Sequence, residues 1–345
     1  IGNEGLGTYI PVSSKPKLIG MEIVRLGLER SKTAKEAVQI ITNLISLHGQ
    51  GVFENNQSVR TYDNGFLIAD PTEAYIIETA GHEWVVKQVK NVEGISNIHS
   101  ITTNWDDISD TALSTASLLN LEIFSPKLNF AKTFCDYDSR FDGRGEFRRL
   151  RSCTYLENKK KNIDLKEMMS LLKDHSDGEN FNETQSFLDT KTICMHYPTP
   201  ETDGNTAASL ISELYSDNSQ LSIHWTSMYS PCLGIFLPMF IEGEIPKILS
   251  IANKEYEVNS PWWMFRQLEK SCRTEGILDN DKAAKIRSKW NPIQNEFYQS
   301  ANFISQEANQ LKQNGDFKQM EELLTDYMNK NTNTVLSTLH NLLKV

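Results

Sequence analysis

Short apolar segments alternate with turn signals early in the chain. The segments contain mostly β-branched, aromatic and other apolar residues, and they run from Phe66 to Ala69, from Ala74 to Glu78 and from Glu83 to Gln88. Segments of this length and composition predict β-strands, and the tight turns between them favour an antiparallel meander. We expect the meander to lead to an exposed Ser96-Asn97 pair.

Helical periodicity precedes the meander. Apolar residues between Met21 and Arg30 predict one helix, and Thr33 opens a second. Thr33 and Glu36 have the spacing of a capping box, and Gly49 ends the apolar repeat. Two helices that each have one apolar face should pack on the meander, so the sequence predicts a layer of helices on a sheet.

The remainder of the chain predicts a mixture of elements and then helices alone. Helices are predicted over 134–151 and 165–174, the second capped by Asp164, and the polar stretch 176–189 predicts a loop. Strand character returns at 192–197, 207–214, 221–228 and 233–236. From Ser260 onward the pattern is helical, with segments at 279–290 and 292–345. Trp262 and Trp263 in this region suit either a homo-oligomer interface or the core.

Composition indicates a globular chain that does not favour nucleic acid. The 345 residues are 39% hydrophobic and 23% charged, which allows a substantial core in one large or two ordinary domains. The net charge of -10 opposes phosphate binding, and the basic groups at 144–151 and 159–161 fit solvated surface. The sequence has no run of 18 apolar residues, so it predicts no membrane span within this chain.

The cysteines argue against a disulfide framework. There are five, at positions 135, 153, 194, 232 and 272, and they show no CxxC or Cys-His ligand spacing. This distribution favours reduced thiols in a cytoplasmic protein over disulfides or a zinc site. Because no HExxH, Walker, Rossmann or EF-hand pattern occurs, we expect no metal ion and no other cofactor.

Several segments together resemble one known family. IGNEG at Ile1–Gly5, the helical pair, the meander and GISNIHSITTN follow the order found in the secernin and cysteine dipeptidase family of N-terminal-nucleophile hydrolases. GNTAASLISEL and SIHWTSMYSPCLGIFLPMFI resemble its later core strands, so the resemblance spans Ile1 to about Glu242. It implies an α+β protein with the four-layer αββα fold, with a core over 1–258 that lacks its N-terminal strands and a helical region over 259–345.

The resemblance also implies a nucleophile outside this sequence. Members of the family begin, after processing, with a cysteine whose α-amine helps to form the thiolate, upstream of the segment that matches IGNEG. Ile1 has no nucleophilic atom, so we expect this chain to lack its N-terminal segment and to be inactive without it. The implied activity is dipeptidase-like hydrolysis of a small peptide or amide. A secernin-like binding or regulatory protein with the same fold and no turnover is the alternative.

Four residues receive candidate roles from the resemblance. Asn97 matches the family's strand-end asparagine, whose amide contacts the oxyanion or orients the α-amine, although an asparagine there also suits a turn. Asn3 and Asp63 are further candidates for positioning or contacting substrate, and both lie in segments that also favour tight turns. Trp105 could stack on a substrate side chain or belong to a solvated acidic loop.

Three histidines and one cysteine complete the candidates. His82, His99 and His196 lie near predicted strand ends and could transfer protons, and each also suits a structural role. Alternation along a strand would place His99 on the same face as Asn97. Cys232 could be a nucleophile or a buried, inert thiol.

Overall fold

The chain divides after Lys161 into two units, Ile1–Lys161 and Asn162–Val345. The computed structural model of the chain describes residues 1–10, 17–55, 58–124, 126–137, 143–175, 192–196, 204–253, 255–274 and 277–344. The predicted boundary after residue 258 falls inside the second unit, because the C-terminal helices share one hydrophobic core with the sheet that precedes them.

The first unit is built on an antiparallel sheet. Its helices are α1 (Gly20–Arg30), α2 (Ala34–His48), α3 (Ala112–Leu118), α4 (Phe130–Phe134) and α5 (Arg144–Lys159). The sheet contains β1 (Gly2–Leu6), β4 (Asp63–Ala69), β5 (Ala74–Ala80), β6 (Glu83–Val89) and β7 (Asp107–Ile108). The strands lie in the order β1-β4-β5-β6-β7. A separate hairpin is formed by β2 (Val52–Asn55) and β3 (Ser58–Thr61). The predicted meander is confirmed, since β4, β5 and β6 are consecutive antiparallel strands.

Alternation along the strands gives this sheet two apolar faces. On one face Phe66 and Ile77 belong to a buried cluster with Ile41 of α2, so the helical pair covers the sheet as the sequence predicts. On the other face Ile76 belongs to a cluster with Phe130 of α4. Both faces of the sheet are therefore shielded from water.

The predicted capping signals of α2 are confirmed. Thr33 Oγ1 accepts a hydrogen bond from Glu36 N at 3.1 Å. The Glu36 carboxylate accepts from Lys32 N at 2.7 Å, so the reciprocal half of the capping box is shifted by one residue. Gly49 ends the helix with a φ of +62°, a conformation that favours glycine.

The second unit combines a smaller antiparallel sheet with long helices. Its strands are β8 (Ala208–Glu213), β9 (Ile223–Met228) and β10 (Leu237–Met239), in the order β10-β9-β8, and β11 (Arg273–Thr274) and β12 (Ile277–Leu278) form a short hairpin. Its helices are α6 (Leu165–Leu172), α7 (Pro261–Ser271), α8 (Asn280–Asn314) and α9 (Phe317–Leu343), with a short 3-10 helix at Lys247–Ser250. The predicted C-terminal region is helical apart from the β11–β12 hairpin, and α8 continues through Pro292 to Asn314, where Gly315 caps it.

One core joins this sheet to the helices. Trp225 of β9 and Phe236 lie in the same buried cluster as Trp290 and Phe297 of α8. Gln294, also buried, binds the backbone just before β10, because its Oε1 accepts from Phe236 N at 2.8 Å and its Nε2 donates to Phe236 O at 3.1 Å. A side-chain amide thus satisfies backbone groups that a neighbouring strand would otherwise bind.

Several predicted elements differ from the structure. Ser96-Asn97 lies in a loop and not at a strand end, and Ile98 N donates to Ser96 O at 2.5 Å. Residues 192–194 form bends and 195–196 have no regular structure. Residues 233–236 complete a turn before β10, and the helix predicted over 134–151 begins at Arg144. Turns closed by short-range hydrogen bonds, such as Leu233 N to Ser230 O at 3.1 Å, account for the lost strand character. The predicted loop at 176–189 lies outside the described residues.

The described residues form a mixed helix-and-strand protein with antiparallel sheets, in agreement with the predicted α+β class. Across the described ranges, no helix combines the length and the apolar character needed to cross a membrane.

The start of α1 lies directly against a pair of asparagines. Asn3 Nδ2 donates to Asn64 Oδ1 at 2.9 Å, which links β1 to β4 through side chains. A Cβ on Gly20 would lie 2.0 Å from Asn64 Oδ1 and 2.3 Å from Asn3 Nδ2. The absence of a side chain at Gly20 is what lets α1 approach the sheet this closely.

We expect Gly20→Ala to lower the free energy of unfolding by about 1–3 kcal/mol, because the added methyl group must displace α1 or break the asparagine pair. Gly2→Ala is the matched control, since a Cβ at the exposed Gly2 meets no atom within 4 Å. Urea unfolding followed by circular dichroism measures both variants. Equal stability of the two variants would contradict the close contact at Gly20.

Candidate functional site

A buried polar network occupies the end of the first sheet. Asn3 binds Asn64, and Asn64 Nδ2 donates to Gln50 Oε1 at 2.8 Å. Gln50 Nε2 in turn donates to Asp63 Oδ1 at 3.1 Å and to Thr79 Oγ1 at 2.8 Å. The network ties β1, β4 and β5 to Gln50, the second residue after α2, through side chains.

Two of the predicted site residues belong to this network. Asp63 is 2% exposed, and its carboxylate also accepts from Thr8 Oγ1 at 2.5 Å and from Gly81 N at 2.9 Å. Asn3 and Asp63 lie within β1 and β4, so the alternative interpretation of their segments as tight turns is wrong. The structure gives both residues internal partners, which favours a positioning role over direct substrate contact.

Asn97 is exposed but has defined partners on both sides of its amide. Its Nδ2 donates to Gly5 O at 3.0 Å, and its Oδ1 accepts from an Arg148 guanidinium nitrogen at 2.8 Å. The first turn of α5 packs closely behind it, because a Cβ on Gly145 would lie 2.9 Å from Asn97 O. The amide is thereby oriented without being buried.

A pair of carboxyl groups beside Asn97 was not singled out in the sequence. Gly65 of β4 lies opposite Glu4 of β1 and opposite Glu78 of β5, so both glutamates project from the same face of the sheet across a glycine. A Cβ on Gly65 would lie 2.8 Å from Glu4 Oε1. The sequence signal for this pair is the glutamate within YIIETA, an otherwise apolar strand.

The two glutamates have different surroundings. The Glu78 carboxylate accepts hydrogen bonds from Ser100 N at 2.8 Å, from Ser100 Oγ at 2.6 Å and from Ile101 N at 3.0 Å. Glu4 Oε1 is shielded from solvent and has no hydrogen-bond partner among the described residues. Burial raises the pKa of Glu4 well above its usual value, the nearby Glu78 raises it further, and two arginines oppose the shift. Glu4 therefore favours its protonated, neutral form beside Glu78, which is fully buried but well supplied with hydrogen-bond donors.

The other aromatic and histidine candidates in the first unit have structural surroundings. Trp105 Nε1 donates to Leu128 O at 2.9 Å, and Lys127 Nζ lies 3.8 Å from the centre of its ring. His99 is buried with Nε2 3.0 Å from Thr79 O, and it does not share a strand face with the exposed Asn97. His82 is exposed, with Nδ1 2.9 Å from Ser46 O. Lys127 therefore occupies one face of the Trp105 ring.

A separate polar cluster lies in the second unit. His196 and Cys232, which the sequence marks as candidates, come together with His175 and Cys194, which it does not, and their possible ligand atoms all lie within 4.8 Å of one another. Contact with Cys194 and burial raise the pKa of Cys232 to about 11. Burial opposes the charged form of His196, but contacts with Cys232 and Glu269 outweigh it and raise the pKa to about 9. Cys194 and His196 are separated by one residue, which is not one of the usual zinc-ligand spacings.

No protein-family model matches this chain.

We expect Glu4→Gln to stabilise the protein increasingly as the pH rises. The raised native pKa means that the folded state holds a proton that the unfolded state releases above about pH 4.3. The free energy of unfolding of the original protein therefore falls as the pH rises from about 4.3 toward the native pKa of Glu4. Glutamine at position 4 cannot titrate and removes that loss.

Free energies of unfolding at several pH values between about pH 4 and pH 8 measure the difference between the two proteins. Glu29→Gln, at an exposed position on α1, is the control and should show no such trend. A stability difference for Glu4→Gln that does not change with pH would show that Glu4 has an ordinary pKa.

Proposed function

We propose that the protein is a cysteine amidohydrolase of the N-terminal-nucleophile type, which cleaves a small peptide or amide as dipeptidases do. The observation that carries the proposal is the exposed Asn97 amide, held by the carbonyl of Gly5 on one side and by Arg148 on the other. A neutral donor fixed in this way is what the oxyanion of acyl transfer requires. The four-layer αββα arrangement is part of the same proposal and is supported by the resemblance to secernins and cysteine dipeptidases.

The proposed chemistry is attack by a thiolate on the carbonyl carbon of the scissile amide. The carbonyl oxygen becomes an oxyanion; when it re-forms the carbonyl, the C–N bond breaks and the amine leaves with the proton that the α-amine took from the thiol. Water then hydrolyses the thioester, which releases the carboxylic acid and restores the thiol. One N–H of Asn97 Nδ2 donates to Gly5 O, so the second N–H can donate to the oxyanion. Because the partners of the amide are already in place, little reorganisation accompanies the reaction.

The charges near Asn97 also suit a developing negative charge. Arg148 is a permanent cation that binds the Asn97 amide directly. Glu4 precedes Gly5 in β1 and favours its neutral form, so it adds no negative charge of its own next to Gly5. This combination supports an anionic intermediate better than two ionised glutamates would.

The thiolate is proposed to come from a cysteine upstream of Ile1. Within the described residues β1 pairs only with β4, and a strand that carried the cysteine and paired with the other edge of β1 would lie next to Gly5, whose carbonyl Asn97 binds. Cys135 is a poor substitute in this unit, because burial raises the pKa of its thiol to about 11.

We expect Asn97→Ala to reduce kcat by about 10²–10³-fold in protein that includes the upstream cysteine, since removal of one oxyanion donor typically costs that much. Turnover is measured with short dipeptides and mass analysis of the products. Asn333→Ala, at an exposed position of α9, is the control and should leave turnover unchanged. Thermal melting of both variants separates loss of the donor from loss of the fold.

Two results would contradict the proposal. One is an upstream sequence without a cysteine, serine or threonine that processing could make N-terminal. The other is an Asn97→Ala variant with unchanged kcat. Protein that binds dipeptides and never cleaves them would instead favour the non-catalytic, secernin-like alternative.

A further inference from the structure

We propose that His175, Cys194, His196 and Cys232 form a zinc-binding site that stabilises the second unit. Two thiols and two imidazoles are the ligand types that zinc prefers in four-coordinate structural sites. All four residues lie in Asn162–Val345, so the proposal is independent of the hydrolase hypothesis for the first unit.

The separations measured from His196 Nε2 fit a tetrahedron around one metal ion. With Zn–S of about 2.3 Å and Zn–N of about 2.0–2.1 Å, tetrahedral ligand atoms lie about 3.3 Å apart for two nitrogens and about 3.6 Å apart for nitrogen and sulfur. His175 Nε2 lies 3.2 Å from His196 Nε2, which lies 3.5 Å from Cys194 Sγ and 3.3 Å from Cys232 Sγ. These three separations are each within about 0.3 Å of the expected tetrahedral edge. The other three are no longer than 4.8 Å, so binding would draw some of these atoms closer together.

Ordinary hydrogen bonding explains this arrangement poorly. Whether the ring is neutral or charged, an imidazole nitrogen has either one N–H to donate or one lone pair to offer. His196 Nε2 has three neighbours at 3.2–3.5 Å, in Cys194, Cys232 and His175, and cannot satisfy all of them. A cation at the centre satisfies the four ligand atoms together.

Outer partners hold His196 in the orientation that a metal ligand needs. Its Nδ1 lies 3.2 Å from Glu269 Oε1, and the two side chains are 2% and 4% exposed. Arg273 fixes Glu269 in turn, with Nε 3.0 Å from Oε1 and a terminal nitrogen 2.5 Å from the same oxygen. A carboxylate on Nδ1 assigns the proton to that nitrogen and leaves the Nε2 lone pair for the metal.

The ligands come from separate segments that have little regular structure. His175 follows α6, Cys194 N donates to Asp174 O at 3.0 Å, and Cys232 lies in the turn between β9 and β10. Glu269 belongs to α7. A metal ion bound by all four side chains would cross-link these segments and stabilise their arrangement beyond what the local hydrogen bonds achieve.

Burial and charge indicate a structural role and not a catalytic one. Cys194, His196 and Cys232 are 0%, 2% and 4% exposed, so a substrate cannot reach a nucleophile among them. Four protein ligands also leave no position for water or substrate. Zn²⁺ with two thiolates and two neutral imidazoles carries no net charge, which makes burial of the complex tolerable.

The full chain, purified without a polyhistidine tag under reducing conditions, tests the proposal by elemental analysis after equilibration with zinc. We expect one zinc ion per chain, and X-ray absorption at the zinc edge should report two sulfur and two nitrogen ligands. Cys194→Ala and Cys232→Ala should lose the bound zinc. Glu269→Gln should weaken zinc affinity by about 10–100-fold, the usual effect of removing an outer partner.

Cys272→Ala is the matched control, because Cys272 is also fully buried in the second unit but lies outside the cluster. It should retain one zinc ion. The X-ray absorption measurement uses the unmodified protein and therefore tests the zinc proposal even if the cysteine variants fail to fold.

Three results would overturn the proposal: cooperatively folded protein that takes up no zinc, zinc that has no sulfur ligand, or zinc retained in both cysteine variants. A Cys194–Cys232 disulfide in folded protein, found by peptide mapping without reduction, would replace the metal by a covalent bond and would equally overturn it.

Discussion

The register of β1, β4 and β5 is the constraint on which the first unit depends. Gly65 faces Glu4 on one side and Glu78 on the other, which fixes which side chains share each face of the sheet. Asn3 and Asn64 then point toward α1, where Gly20 leaves room for them. A slip of one residue would exchange the two faces and bury the carboxyl pair among the apolar side chains of the helical layer.

The elements that the sequence predicts well are those set by local periodicity and capping. The meander, α1, α2 and the C-terminal helices follow from apolar spacing, and Thr33 and Gly49 mark the ends of α2. Prediction from the sequence failed where long-range hydrogen bonds and turns determine the backbone conformation. Ser100 N binds Glu78, and Cys194 N binds Asp174 O. Hydrogen bonds to residues distant in sequence, and not the local apolar pattern, therefore set the backbone conformation of both segments.

The candidate site is less predictable for the same reason. Asn97 could be found through the family resemblance, but its partners Gly5 and Arg148 are distant in sequence and only the fold brings them together. The buried glutamate in YIIETA gave a usable signal, whereas its pairing with Glu4 depends on strand register. Motif searches expect short ligand spacings, and the histidine and cysteine cluster spans 175–232, so no familiar zinc pattern could reveal it.

Gln294 has a consequence for how copies of the protein behave toward one another. Sheet edges recruit strands from other molecules when their backbone groups are unpaired, which is a common origin of aggregation. At Phe236 the amide of Gln294 already binds both the backbone N–H and the carbonyl. Helix α8 therefore protects this position against self-association by occupying the hydrogen-bonding sites that an incoming strand would need.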